Sequence, residues 1–168
     1  MFVASVKSGA TAIASDAFYN NNNIKIVYLP DTLSVMQQAT NNTNHSDIFA
    51  ECANLEQINI PNAITVLEIN SFYGCTSLTS VLIDKENSQL HTIRGHAFEN
   101  CVDLTSVDVP FGVETIGAWA FEGCEKLKTI ELPTGLKSLG SQSTFRDCKA
   151  LTSIVIPNGV TLIPPAAF

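Results

Sequence analysis

The sequence predicts a solenoid: one domain of stacked coils whose short strands line up as a parallel β-sheet. Three observations predict it. The pattern Phe-x-x-Cys recurs at Phe49–Cys52, Phe72–Cys75, Phe98–Cys101, Phe121–Cys124 and Phe145–Cys148, with phenylalanines 23, 26, 23 and 24 residues apart. Each cysteine is followed at the same spacings by a run of aliphatic residues that ends, in four of the five units, at a proline. The 168 residues are 45% hydrophobic and only 15% charged, which suits neither a disordered chain nor a long exposed helix. Self-similarity at a period of about 20–50 residues is the mark of a repeat architecture.

Each part of the coil follows from its residues. Three positions after the cysteine stands Leu55, Leu78, Leu104, Leu127 or Leu151. Two further aliphatics complete L-x-x-I-x-I: Ile58 and Ile60, Val81 and Ile83, Val107 and Val109, Ile130 and Leu132, Ile154 and Ile156. Alternation of this kind is a short strand with one buried face. Pro61, Pro110, Pro133 and Pro157 then end the pairing, because proline cannot donate to a ladder, and Asp84 takes that place in the remaining unit. The remaining stretch of about 15 residues, rich in Gly, Asn and Pro, turns the chain back through irregular structure, with one helical turn expected around A-F-x-x-C. A single coil cannot bury its own apolar stripe, so its neighbours must bury it. Unit starts fall near Met1, Ile24, Leu55, Leu78, Leu104, Leu127 and Leu151, which gives about seven units over residues 1–168. The N-terminal segment keeps the phase with weaker residues and has Asn21 where a cysteine is due.

The run Leu104–Cys124, L-T-S-V-D-V-P-F-G-V-E-T-I-G-A-W-A-F-E-G-C, resembles the BspA-like class of leucine-rich repeats, and the resemblance extends over essentially the whole chain. It implies a right-handed coil stack with one parallel sheet on the concave face and irregular or short helical segments on the convex face. It also implies a cell-surface or secreted protein of adhesion or binding type.

Several classes of function are disfavoured. There are 16 Asp and Glu against 9 Lys and Arg, a net charge of -7 and no basic cluster, so no nucleic-acid footprint is expected. Apolar runs are too short for membrane insertion. Met1–Gly9 lacks a charged stretch followed by an apolar one, so no signal peptide is expected in this chain. The five cysteines track the repeat and lack the C-x₂₋₄-C spacing of zinc sites, so they read as a column of small buried side chains. His45, His91 and His96 lack ligand or catalytic spacing and read as solvated. No catalytic or cofactor motif is present, so the expectation is a non-enzyme without cofactors or metal. Asn41 and Asn44 head N-x-S/T sequons in the segment that lengthens the second unit, and their use depends on a secretory route. Trp119 is an aromatic where neighbouring units are polar or small. It is expected on the flank or, in preference, over the next coil.

The outward strand face is the natural binding surface of a coil stack. One of its columns reads Tyr28, Asn59, Leu82, Asp108, Glu131, Val155. Ser and Thr elsewhere on the face simply suit exposed strands. Tyr28, Asn59, Asp108 and Glu131 are therefore the candidate contacts for a protein or glycan partner. Phe2, Val3, Ile26 and Tyr28 make the N-terminal end of the face unusually apolar. The uncapped ends suggest a fragment of a longer array, or ends covered by another copy through end-to-end self-association. The rival functions are a structural spacer within a larger surface protein and an enzyme with a site on the 37–47 loop.

Overall fold

The computed structural model describes residues 2–36 and 46–168, so Met1, His45 and both sequons lie outside the described residues. Among the described residues there are eleven short strands and no helix. Strands β1 (Val3–Ser5), β3 (Ile26–Tyr28), β5 (Gln57–Ile60) and β7 (Ser80–Ile83) form a four-stranded parallel sheet. The same column of coils continues as β9 (Ser106–Val107) paired in parallel with β11 (Thr129–Ile130). Residues meet their repeat equivalents: Ile58 pairs with Val81 and Ile60 with Ile83. The alternating pattern places these aliphatics in the core and leaves Asn59 half-buried and Leu82 exposed. No helix in the described residues is long and apolar enough to cross a membrane.

The structure corrects the expected single sheet. A second column of two-residue strands runs along another side of the coils. It comprises β2 (Ala12–Ile13), β4 (Val35–Met36), β6 (Val66–Leu67), β8 (Thr92–Ile93) and β10 (Thr115–Ile116). Within it β2 pairs with β4, and β10, β8 and β6 form a three-stranded parallel sheet. The second aliphatic after the proline supplies its buried residue, as with Leu67, Ile93 and Ile116. A stretch this short is extended because its backbone groups pair with the equivalent stretch of the neighbouring coil.

The third side is the Phe-x-x-Cys turn, and here the expected helical turn is absent. The residues two before and two after the phenylalanine both have left-handed backbone: His96 and Asn100, Trp119 and Gly123, Ser143 and Asp147. A left-handed residue on each side prevents continuation as a right-handed helix. Asn, Asp and Gly recur at these positions because they tolerate that region best.

The core runs continuously through the stack. Phe18, Phe49, Phe72, Phe98, Phe121, Phe145 and Phe168 form a ladder of stacked rings, with centroids 5.0 to 5.9 Å apart and planes within 14° of parallel. The five cysteines are free and buried, as the repeat spacing predicts. Each thiol donates to the phenylalanine carbonyl one coil back, for example Cys75 Sγ to Phe49 O at 3.0 Å and Cys101 Sγ to Phe72 O at 3.2 Å. The same carbonyl accepts the backbone N–H of its own coil's cysteine, as Phe72 O does from Cys75 N at 3.1 Å. Cysteine thus fills a small space and satisfies a carbonyl's second lone pair. Burial pushes the Cys52 thiol up to about 11 and the Cys148 thiol up to about 12, against a partial lowering by backbone hydrogen bonds. Cys75, Cys101 and Cys124 are pushed well above the usual thiol range, mainly by burial. All five are neutral thiols at physiological pH.

Candidate functional site: the strand face

The strand face is interrupted where the repeat is. The unit from Leu78 is three residues longer than the units on either side of it and has Asp84 in place of proline. The Asp84 carboxylate accepts the backbone N–H groups of Glu86 and Asn87 and the Asn87 side-chain amide, building a local turn. These hydrogen bonds hold the Asp84 carboxyl below its usual range. Beside this turn the four-stranded sheet ends at β7, and the ladder resumes only between β9 and β11.

Two recesses lie on this face. One, of about 640 Å³, spans β9, β11 and the segment 153–155, and Asp108, Glu131 and Val155 line it. The other, of about 360 Å³, is lined by Asp31, Asn59, Asn62, Leu82, Asp84 and Asp108, among others. Asp108 therefore borders both.

The four sequence candidates meet different fates. Tyr28 is exposed on β3, near the N-terminal end of the face and outside the linings of both recesses. Asn59 lies in the second recess, but its amide is already engaged. Its Oδ1 accepts the Leu29 N–H at 2.7 Å and its Nδ2 donates to the Leu29 carbonyl at 2.9 Å. This closes the end of β3 and makes Asn59 a clamp between coils. Asp108 is exposed and makes no side-chain hydrogen bond or ion pair among the described residues. Glu131 stands one strand away in the same register, since Val107 pairs with Ile130. Its carboxylate is ion-paired with Lys85, and the hydrogen bond and charge of that lysine hold its carboxyl below the usual range. The structure therefore gathers Asn59, Asp108 and Glu131 around the recesses and leaves Tyr28 apart.

Sequence reading missed two residues here, Phe111 and Lys85. Lys85 Nζ also lies 5.1 Å from the centroid of the Phe111 ring, an ammonium over an aromatic face. Phe111 is 60% exposed at the mouth of a small recess shared with Lys85 and Glu131. A signal was present: the residue after the proline is Asn62, Thr134 or Asn158 in other units and Phe only here. Lys85, Phe111 and Glu131 belong to three successive units, so only the stack brings them together.

The flank of the Phe-x-x-Cys turns carries a second group of ionisable residues. Glu68 is buried, with Arg94 Nε 3.2 Å from its Oε2, yet neither atom has a well-directed hydrogen bond. Burial raises the Glu68 carboxyl above its usual range and Arg94 partly offsets this. Trp119 stacks on His96 with centroids 4.6 Å apart, so it covers the preceding coil and not the next. His96 is half-buried under that ring and bonded to Glu99, which corrects the expectation of a solvated histidine. Among the described residues, no group of three or more His, Cys, Asp or Glu is placed to hold a metal ion.

With this geometry in hand, the chain can be compared with known proteins. The family described as BspA type leucine-rich repeat region matches residues 4–93 and 42–168, in six copies. No curated protein matches the sequence. Among solved structures, the T. pallidum leucine-rich repeat protein TpLRR is 26% identical with a TM-score of 0.79, over 93% of this chain and 70% of that one. A leucine-rich repeat protein from Bacteroides ovatus is 27% identical with a TM-score of 0.84, over 99% of this chain but only 42% of its own length. One from Eubacterium ventriosum is 20% identical with a TM-score of 0.68 and shares the fold; this chain spans 45% of its length.

Proposed function

Because the chain belongs to the BspA-type leucine-rich repeat family, we propose that it is a non-catalytic binding module that holds a protein partner on its strand face, at a cell surface or outside the cell. One observation carries this reading. Large apolar side chains stand exposed on this face: Leu82 at 46% and Val155 at 83% line the recesses that Asp108 borders, and Phe111 at 60% lines the small recess it shares with Glu131. Apolar area gathered around polar groups and a concave surface is what a partner can dehydrate with gain. Among the described residues, the linings of the two recesses bring together no set of acid, base and nucleophile, and the cysteines are buried neutral thiols.

The test is to screen the chain against a displayed library of random peptides and against a glycan array, alongside the variant Tyr28→Ala/Asp108→Ala/Glu131→Ala. Asn59 is kept, since its loss would disturb the Leu29 clamp. Peptide ligands that fail to bind the variant are the expected outcome. Glycan ligands lost in the variant would replace the protein partner by a sugar. Ligands indifferent to the variant would move the site off this face, and the absence of any ligand would favour a spacer. End-to-end self-association belongs to the same proposal. It is supported by exposed apolar side chains at both ends of the stack, Phe2 and Val3 at one and Leu162 and Phe168 at the other. Sedimentation at increasing concentration tests it.

A further inference from the structure

Resting on the reading of the strand face as the binding surface, we infer that its occupant is a cationic, extended segment of another protein in which apolar residues flank Lys or Arg. The charge on the face is one-sided. Asp31, Asp84, Asp108 and Glu131 line the two recesses, and no Lys, Arg or His does. Of the cations near the recesses, Lys25 pairs with Glu56 and Lys85 with Glu131 and the Phe111 ring, while the exposed Lys128, next to β11, lines neither recess. Asp108 is left without a partner among the described residues, one strand step from Glu131. Like charges placed opposite one another across strands repel, and a cation seated between them removes that repulsion.

Apolar groups bracket the carboxylates. Down the column, Leu82 precedes Asp108 and Val155 follows Glu131, and both are exposed. These coils stack with phenylalanine centroids 5.2, 5.5 and 5.9 Å apart, so the three steps span roughly 15–17 Å, the length of about four to five extended residues. Lys85 shows what the rim accepts: an ammonium that meets a carboxylate and an aromatic ring together. A ligand guanidinium would suit the unpaired Asp108, being planar and able to bind a carboxylate with two hydrogen bonds. The net charge of -7 favours encounter with a cationic partner over an acidic one.

The peptides enriched from the random library provide the probes. Each is labelled and titrated by fluorescence polarisation against the wild-type chain, Asp108→Asn and Leu82→Ser/Val155→Ser. Lys and Arg should exceed their frequency in the starting library. Asp108→Asn should weaken binding about fivefold or more. Raising salt from about 50 to about 300 mM should weaken the wild type more than Asp108→Asn. Asp108 is exposed and asparagine matches its shape, so this variant keeps the fold, and the salt titration of the wild type needs no variant. Peptides that lose binding in Leu82→Ser/Val155→Ser but carry no excess of Lys or Arg would overturn the cationic occupant and leave the face as the binding surface. So would binding indifferent to Asp108→Asn. Peptides insensitive to both variants, or no enriched peptide at all, would overturn the occupant and the face together.

Discussion

The coil from Leu104 and the coil from Leu151 carry nearly the same motif and differ sharply in structure. In the first, Leu104, Val107, Val109, Val113, Ile116 and Phe121 are all buried, and two short strands form. In the second, Leu151, Ile154, Ile156 and Val160 are only half-buried, and no strand forms over 152–156. Ile163 is 48% exposed and Phe168 57%, although their spacing marks both as core positions. The motif is the same, but the second coil has a neighbour on one side only. Burial and strand formation here belong to pairs of coils, as expected of a quasi-one-dimensional stack.

The most severe way to probe this contrast is to delete the same ring in both regions. Phe98 is packed between Phe72 and Phe121, and Phe98→Ala should cost about 3–5 kcal/mol in urea denaturation. Phe168→Ala should cost less than about 1 kcal/mol, because that ring is stacked on one side and half in water. Equal losses would mean that the ends are as tightly packed as the middle.

A second probe adds atoms. A Cβ on Gly117 would meet the Gly95 backbone at 2.4 Å, between two coils held on both sides. Gly117→Ala should cost about 1–3 kcal/mol. A Cβ on Gly159 would meet the Leu136 carbonyl oxygen at the same 2.4 Å, but the coil that carries it can shift outward. Gly159→Ala should therefore cost less than about 1 kcal/mol. A similar fall in melting temperature for both would refute the freedom of the last coil.

Thiol chemistry reads the contrast without mutation. Cys101 is fully buried and Cys148 is 9% exposed beside the one-sided coil. Both are neutral thiols, so alkylation requires opening of the stack. Iodoacetamide followed by mass spectrometry should find Cys148 modified at least about tenfold faster than Cys101. Simultaneous labelling would indicate a single cooperative opening.

The smallest effect concerns Glu68 in the middle of the stack. Its folded carboxyl titrates above the usual 4.5 because it is buried. Between 4.5 and that raised value the folded chain holds a proton that the unfolded chain releases. This contribution to stability is therefore present at low pH and lost as pH rises through the window. Glu68→Gln removes it. The variant should gain urea midpoint relative to wild type on going from about pH 4 to about pH 7, by a small margin. A constant difference across that range would show that Arg94 compensates the charge fully.

Much of this protein is legible in its residues. The spacing of Phe, Cys, Leu and Pro determined the coil stack, its inward columns and the ladder of free cysteines, because each depends on a side chain's size and polarity repeated at a fixed interval. The exposure of Asp108 and Glu131 followed from the same alternation. The second strand column was not legible, since two-residue strands exist only where another coil supplies hydrogen-bond partners. Nor was the left-handed turn around each phenylalanine, though Asn, Asp and Gly two residues to either side hinted at it. Asn59 looked like a free polar contact, and only the position of Leu29 showed its amide to be a clamp. Lys85, Phe111 and Glu131 lie in three separate units and meet because the stack places equivalent points about one strand spacing apart. Local residue chemistry sufficed for whatever one coil decides alone. Tertiary structure decided whatever requires two coils, because hydrogen bonding, burial and charge pairing here all act across the gap between neighbours.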